Sequence, residues 1–294
     1  MLRTNLRHLL VSCVLTIICV AAASAQGVVN TQKRAVIGEL IEVSGMQRSI
    51  VAAFRESVTR YQQNWASAVI VDFKAKGLFK SLTPQDAASM EKLIRELGDN
   101  IFNEVKRRVE LEVATTEKLV ALSEQTYDKY YTLEELNELV AFYKTPTGRK
   151  FSEESLKALR AALLSHQEAK GIFNVLPSAE AEEAKVDRLL EDLEHKPQEH
   201  AQQIVAAVKL PPLDHFTEDE RRELTVFFQT PVGKKLNAIA SSFMAEVLAN
   251  NVKLLGPSIE KLTGEIIDAQ MKIFQERAYQ ILKNYDRQGR RKHP

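Results

Sequence analysis

Thr145-Pro146-Thr147-Gly148-Arg149-Lys150 is written a second time further along the chain as Thr230-Pro231-Val232-Gly233-Lys234-Lys235. The same register holds upstream. Thr132, Glu135, Glu138, Leu139 and Phe142 recur as Thr217, Glu220, Glu223, Leu224 and Phe227. Positions matched at one spacing indicate two tandem copies of a supersecondary unit rather than two chance turns.

Each copy reads as a helix, a fixed corner and a second helix. Thr132-Leu133-Glu134-Glu135 and Thr217-Glu218-Asp219-Glu220 are capping boxes. In such a box the threonine hydroxyl accepts from the amide three residues on, while the glutamate reaches back to the threonine amide. Glu134 and Asp219 add negative charge where the helix dipole favours it. Leu139, Phe142 and Tyr143 then form an apolar stripe, as do Leu224, Phe227 and Phe228, and such a stripe must be buried. A residue before proline is pushed out of the helical region, so the first helix ends at Lys144 or Thr145. Thr145 and Thr230 cap the next helices, with Pro146 and Pro231 in the first position. Gly148 and Gly233 let a neighbouring backbone come close. The expected product is an αα-hairpin with a tight corner.

The rest of the chain carries the same period. Ile37, Leu40 and Ile41, then Ile50, Phe54, Val58 and Tyr61, then Leu111, Leu119 and Leu122 recur at helical spacing. Strand signals are nearly absent. Ser44-Gly45 divides the first stretch, with Met46 opening the next helix. Lys74, Lys76, Gly77 and Leu78 make a helix stop, and Thr83-Pro84-Gln85-Asp86 restarts one. Gly256-Pro257 predicts a second stop and restart. The expectation is an all-α protein of about nine or ten helices, with tandem αα-hairpin units in a bundle-like array. Trp65, Phe73, Phe79 and Phe102 are read as core. Leu176-Pro177-Ser178 marks a boundary between a first unit over 26–175 and a divergent second unit over 176–285. The stretch 286–294, with Arg290, Arg291 and Lys292, is expected as a frayed, disordered basic tail.

The string Phe/Tyr-x-Thr-Pro-x-Gly-x-Lys after a Thr-x-x-Glu helix resembles the bacterial DUF2059 family, a domain of unknown function. The stretch Leu40-Ile41-Glu42-Val43-Ser44-Gly45-Met46 is similar to the opening of that family. The resemblance is sharpest over Tyr130–Phe151, extends over Thr31–Val175, and returns over Phe216–Leu236. It implies an exported, all-helical protein with no established activity. The second copy departs from the pattern where Arg221 and Arg222 replace Leu136 and Asn137.

The stretch from Met1 to Ala25 reads as a secretory signal. Arg3 and Arg7 form the basic region, Leu9 to Val20 the apolar run, and Ala23-Ser24-Ala25 the cleavage site, between Ala25 and Gln26. The apolar run falls short of the roughly 20 residues of a membrane span. Both cysteines, Cys13 and Cys19, lie within it, so the mature chain is expected to hold no disulfide and to rely on packing. Of 40 basic and 39 acidic residues, loss of Arg3 and Arg7 leaves 38 against 39. A near-neutral chain makes no electrostatic case for nucleic acid or anionic lipid. The expected location is periplasmic or secreted, with no membrane span after cleavage.

Chemistry is harder to find. His195, Glu199, His200 and His215 suggest zinc, but Pro197 breaks the helical pairing of His195 and His200, and no Cys ligand exists. They are read as solvated loop residues, and no metal or cofactor is expected. Glu134, Glu135 and Glu138, with Glu218, Asp219, Glu220 and Glu223, sit on first turns where capping accounts for them. No catalytic residues are assigned, since no Gly-x-Ser-x-Gly elbow and no Gly-x-Gly-x-x-Gly is present. Arg149 and Lys150 beside a helix N-terminus suggest an anion site, but capping explains every residue of Thr-Pro-x-Gly. The two charges are therefore read as exposed and of little consequence for stability.

The reading is an exported, non-enzymatic binding or interaction protein of the cell envelope, with an unknown protein or an apolar ligand as partner. The alternatives are an envelope hydrolase using the acidic helix starts, and a carrier of apolar ligands. The export reading predicts a mature chain that begins at Gln26. N-terminal sequencing of the protein recovered outside the cytoplasm tests it, and retention of Met1 to Ala25 would reject it.

Overall fold

The computed structural model describes residues 31–169, 196–209 and 211–291. The expected signal segment with Ala25 and Gln26, the boundary at 176–178, and His195 lie outside them. The protein is all-α, with no strand among the described residues. Among these residues nine α-helices and one short 3-10 helix follow in order: α1 (Thr31–Val43), α2 (Met46–Ala75), α3 (Pro84–Glu112), α4 (Thr116–Tyr130), α5 (Leu133–Lys144), α6 (Pro146–Ala169), α7 (Pro197–Ala207), the 3-10 turn Leu213–His215, α8 (Glu218–Gln229) and α9 (Pro231–Arg291). None of the described helices is long and apolar enough to cross a membrane.

Local chemistry sets the boundaries. Gly45 takes φ 70° between α1 and α2, a left-handed conformation open to glycine without a Cβ penalty. At the end of α2 the Gly77 amide donates to Lys74 O and the Leu78 amide to Phe73 O. With Gly77 at φ 76°, these two bonds make a Schellman stop. Thr83 caps α3, its Oγ1 accepting from the Asp86 amide at 3.1 Å.

Two apolar cores result. The first joins α2 and α3 around Trp65, Tyr61 and Phe102, and takes Ile259, Leu262, Ile266 and Ile267 from α9. Phe102 meets Tyr61 and Trp65 edge-on, with ring centroids at 5.6 and 5.8 Å. The second joins α1, α4, α5 and α6 to α7, α8 and the first half of α9, where Phe243 and Val247 are buried. Residues from both sides of position 175 enter each core. α9 is common to both.

The expected break at Gly256-Pro257 does not occur. α9 runs without interruption from Pro231 to Arg291 with Pro257 inside it. A proline removes one helical hydrogen bond and crowds the preceding turn. Here the buried row Ile259, Leu262, Thr263, Ile266 and Ile267 sits just beyond it against α2 and α3, and tertiary burial of that row outweighs the local signal. α9 also carries helix to Arg291 through the stretch read as a disordered tail, which holds no proline before Pro294.

Phe102 is fully buried, so its truncation leaves a cavity that the rings of Tyr61 and Trp65 cannot fill. Phe102→Ala is expected to cost about 3–5 kcal/mol, read from the shift in urea midpoint. A loss below about 1 kcal/mol would contradict this packing.

Candidate functional site

The residues singled out in the two written copies meet one another. Thr132 and Thr217 each head a complete capping box. Thr132 Oγ1 accepts from the Glu135 amide at 3.2 Å, and Thr217 Oγ1 from the Glu220 amide at 3.3 Å. Each glutamate accepts from its threonine amide at 2.8 Å. At the corners Thr145 Oγ1 accepts from the Gly148 amide at 2.9 Å, and Thr230 Oγ1 from the Gly233 amide at 3.0 Å. The same hydroxyls donate to Phe142 O at 2.8 Å and Phe227 O at 2.7 Å. One threonine thus closes one helix and opens the next, with Pro146 or Pro231 following.

The two glycines are required by close approach. A Cβ at Gly148 would lie 2.0 Å from Phe142 O, and one at Gly233 would lie 2.1 Å from Phe227 O. The obstacle is backbone, which cannot swing aside.

The corners pack against each other reciprocally. Phe142 and Phe227 stack with centroids 3.6 Å apart and planes 5° from parallel. Both rings are buried. Lys150 Nζ reaches Glu220 at 2.7 Å. Lys235 Nζ reaches both oxygens of Glu135, also at 2.7 Å. Lys150 lies 5.3 Å from the ring centre of Phe216, and Lys235 5.4 Å from that of Tyr131, within the range of a cation–π contact. In every pair the second contact equals the first with both partners moved by one repeat spacing and exchanged. This is the bookkeeping of an isologous interface, here within one chain. It breaks at one place. Thr147 Oγ1 donates to Glu223, but the corresponding Val232 has no hydroxyl and Glu138 is exposed.

Electrostatics follow the pairing. Bonding to Lys150, then to the Thr217 amide, holds the Glu220 carboxyl below the usual glutamate range. For Glu135, partial burial pushes the carboxyl up, but the Lys235 ammonium and the Thr132 amide outweigh it and the net displacement is downward. Both carboxylates are therefore charged and engaged at neutral pH.

Several sequence expectations change in detail. Arg149 is exposed as read, but Lys150 is a cross-corner partner rather than a free surface charge. A carboxylate distant in the chain, on Glu220, made it so, and no local signal reports that. The elements of an anion site at the corner are already engaged. Gly148 donates to Thr145, Pro146 has no amide proton, and Lys150 faces Glu220. His200 lies against His166, Nδ1 to Nε2 at 3.4 Å, while His215 lies against Glu154 at 2.9 Å. Among the described residues no group of three or more His, Cys, Asp or Glu could hold a metal. The pairing of His166 with His200 was not read from the sequence, since the two sit on separate helices, α6 and α7. A shallow groove of about 320 Å³ beside α2 and α6 is lined by Glu56, Arg60, Lys157, Arg160, Leu164 and Glu168. Its walls are mainly charged.

The model of the family described as an uncharacterized protein conserved in bacteria (DUF2059) matches residues 117–170 and 213–261. The chain resembles that family over these two stretches, and each of them contains one capping box and one corner. The Leu40–Met46 segment lies outside the match but touches it in space, since Ser152 Oγ donates to Ser44 O at 2.7 Å. No curated protein and no solved structure matches the chain.

Two outcomes follow from the corner. Gly148→Ala or Gly233→Ala is expected to cost at least roughly 1–3 kcal/mol, and Thr145→Ala about 1 kcal/mol, by thermal or urea melts. A neutral Gly148→Ala would refute the close approach. For pH, Glu135 and Glu220 bind protons less readily folded than unfolded. Their stabilisation is thus complete above the unfolded glutamate pKa of about 4.3 and fades as pH falls through their lower folded values. A Glu135→Gln/Glu220→Gln variant should lose stability near neutrality and show a shallower decline in acid than the parent.

Proposed function

We propose that the chain is an exported, non-enzymatic interaction protein of the cell envelope, built from two copies of one corner unit that pair about a pseudo-two-fold axis. The observation that carries this reading is the use of the motif. Its hydroxyls cap helices, its glycines admit backbone, and Glu135, Glu220, Lys150 and Lys235 tie the two units together. A general acid needs a carboxyl whose pKa is raised toward the working pH, whereas these two are lowered. The hydrolase alternative therefore loses its best residues. The charged lining of the groove at Arg60 and Arg160 speaks equally against an apolar cargo, which calls for an apolar pocket.

The reading of periplasmic or secreted location rests on Arg3, Arg7, the apolar run and Ala23-Ser24-Ala25. Contact with a partner falls to the outer surface. Ile273, Tyr279 and Leu282 of α9 are exposed, although Phe274, Ala278 and Ile281 of the same helix pack inward.

The test is capture from an envelope extract on immobilised mature protein, with cross-linking and mass spectrometry of both proteins and lipids. The expected result is a specific protein whose capture falls at least tenfold with Tyr279→Glu/Leu282→Glu, about 1.4 kcal/mol of binding. Breakdown of an envelope polymer that vanishes with Glu135→Gln or Glu220→Gln would establish the hydrolase instead. Co-purified lipid in stoichiometric amount would establish the carrier.

A further inference from the structure

The hairpin of α2 and α3 ends in a turn that leaves apolar side chains outside. Its sequence is Val71-Asp72-Phe73-Lys74-Ala75-Lys76-Gly77-Leu78-Phe79-Lys80. In a Schellman stop the residue after the glycine commonly packs back on the last turn of the helix. Here Leu78 keeps 55% of its surface exposed, and Val71 keeps 65%. The turn itself is held in place, since Phe79 meets Phe73 edge-on with ring centroids at 6.4 Å. Lys74, Lys76 and Lys80, on either side of Leu78 in the chain, are exposed.

The fold brings further positive charge to this end. Arg108 meets Glu265 at 3.3 Å and Arg277 meets Glu96 at 2.7 Å. The two pairs are separated by the same number of residues on each helix, so α9 runs antiparallel to α3. α3 begins at Pro84 and α9 continues to Arg291, which brings the last turns of α9 level with the α2–α3 turn. That last stretch holds Lys283, Arg287, Arg290 and Arg291 against Asp286. On the hairpin side the acidic residues are Asp72 and Asp86, with Glu91 balanced by its neighbour Lys92. Asp72 pairs with Lys76 at 3.2 Å and Glu91 with Lys74 at 2.6 Å. Both lysines stay about half exposed, and exposed pairs bind weakly. A chain with 40 basic and 39 acidic residues thus gathers a cationic excess at one end, where Leu78 and Val71 are also open.

We propose that this end docks on an anionic phospholipid surface, its lysines and arginines meeting lipid phosphates while Leu78 and Val71 enter the acyl boundary. Attraction of basic side chains to anionic lipid and burial of apolar ones are the two contributions to binding at a membrane interface. Exposed aliphatic groups favour a bilayer over a soluble polyanion, which supplies charge without an apolar layer. The docking is peripheral, and it is independent of any protein partner at Tyr279 and Leu282.

The test uses the full mature chain from Gln26, so that the apolar run Leu9 to Val20 cannot account for binding. Vesicles are of phosphatidylcholine alone or mixed with phosphatidylglycerol. Sedimentation is expected to show binding to the mixed vesicles that weakens as salt rises, with little binding to phosphatidylcholine. Lys74→Gln/Lys76→Gln/Lys80→Gln and Leu78→Gln should each reduce it at least about tenfold while helix content and a cooperative melt are kept, since these side chains are exposed. The mature chain holds no cysteine, so Leu78→Cys carries a polarity-sensitive dye at one site. Its emission should shift to the blue on mixed vesicles. The same dye at Val226→Cys, an exposed position on α8 beside the start of α9, should not respond. Absence of binding to mixed vesicles at low salt overturns the proposal, as does binding that either tip variant leaves intact, or a shift of both dyes alike. Binding that is lost with the lysines, kept with Leu78→Gln and matched by soluble polyphosphate marks a polyanion site and overturns it too.

Discussion

Two phenylalanine rings lie face to face, and one lysine crosses from each corner to the capping glutamate of the other. Ring quadrupoles favour offset or edge-on arrangements over a parallel stack, yet Phe142 and Phe227 sit 3.6 Å apart and 5° from parallel. The arrangement is imposed from outside. Backbone closure at Gly148 and Gly233 brings each phenylalanine's carbonyl under the next helix, and the Lys150–Glu220 and Lys235–Glu135 bridges fix the two corners on either side. Burial of the rings then follows. Each glutamate is at once the closing residue of its own capping box and the acceptor of the opposite lysine. Helix initiation and corner pairing thus share the same two carboxylates.

The cores are organised by this pairing and by α9. Because Pro231 opens α9 at the second corner, the direction in which α9 leaves is set where the corners meet. The helix then passes Phe243 and Val247 through one core and Ile259 to Ile267 through the other. Neither core is closed by a contiguous half of the sequence. α2 and α3 bury Trp65, Tyr61 and Phe102 under a helix that comes last in the order of described elements. α9 links the two cores, as do α2 through Ile50 and α6 through Leu164, and the proline within α9 is tolerated where the buried row that begins at Ile259 follows it.

The functional reading has the same root. Glu135, Glu220, Lys150 and Lys235 are engaged across the corners, and that pairing lowers the carboxyl pKa of both glutamates. Perturbed groups cluster at active sites, but ion-pair networks perturb them too. At Glu135 and Glu220 the downward displacement comes from the opposite lysine and the threonine amide of the capping box.

The sequence by itself determined what is local. The helical class, the capping boxes at Thr132 and Thr217, the stop at Gly77, the restart at Thr83 and the corners at Thr145 and Thr230 were all legible, because each depends on groups within a few residues. The constant spacing of the two copies was legible as well, but the stacking of Phe142 on Phe227 was not. Nor was the role of Lys150, whose partner is fixed only when α6 and α8 come together. The run of α9 through Gly256-Pro257 was misread for the opposite reason. There a local breaker is overridden by the buried row from Ile259 to Ile267. Short-range hydrogen bonds and backbone sterics are encoded in neighbouring residues. Long-range pairing is decided by which apolar faces and charges share a place after collapse, and in this chain that gave the motif its role.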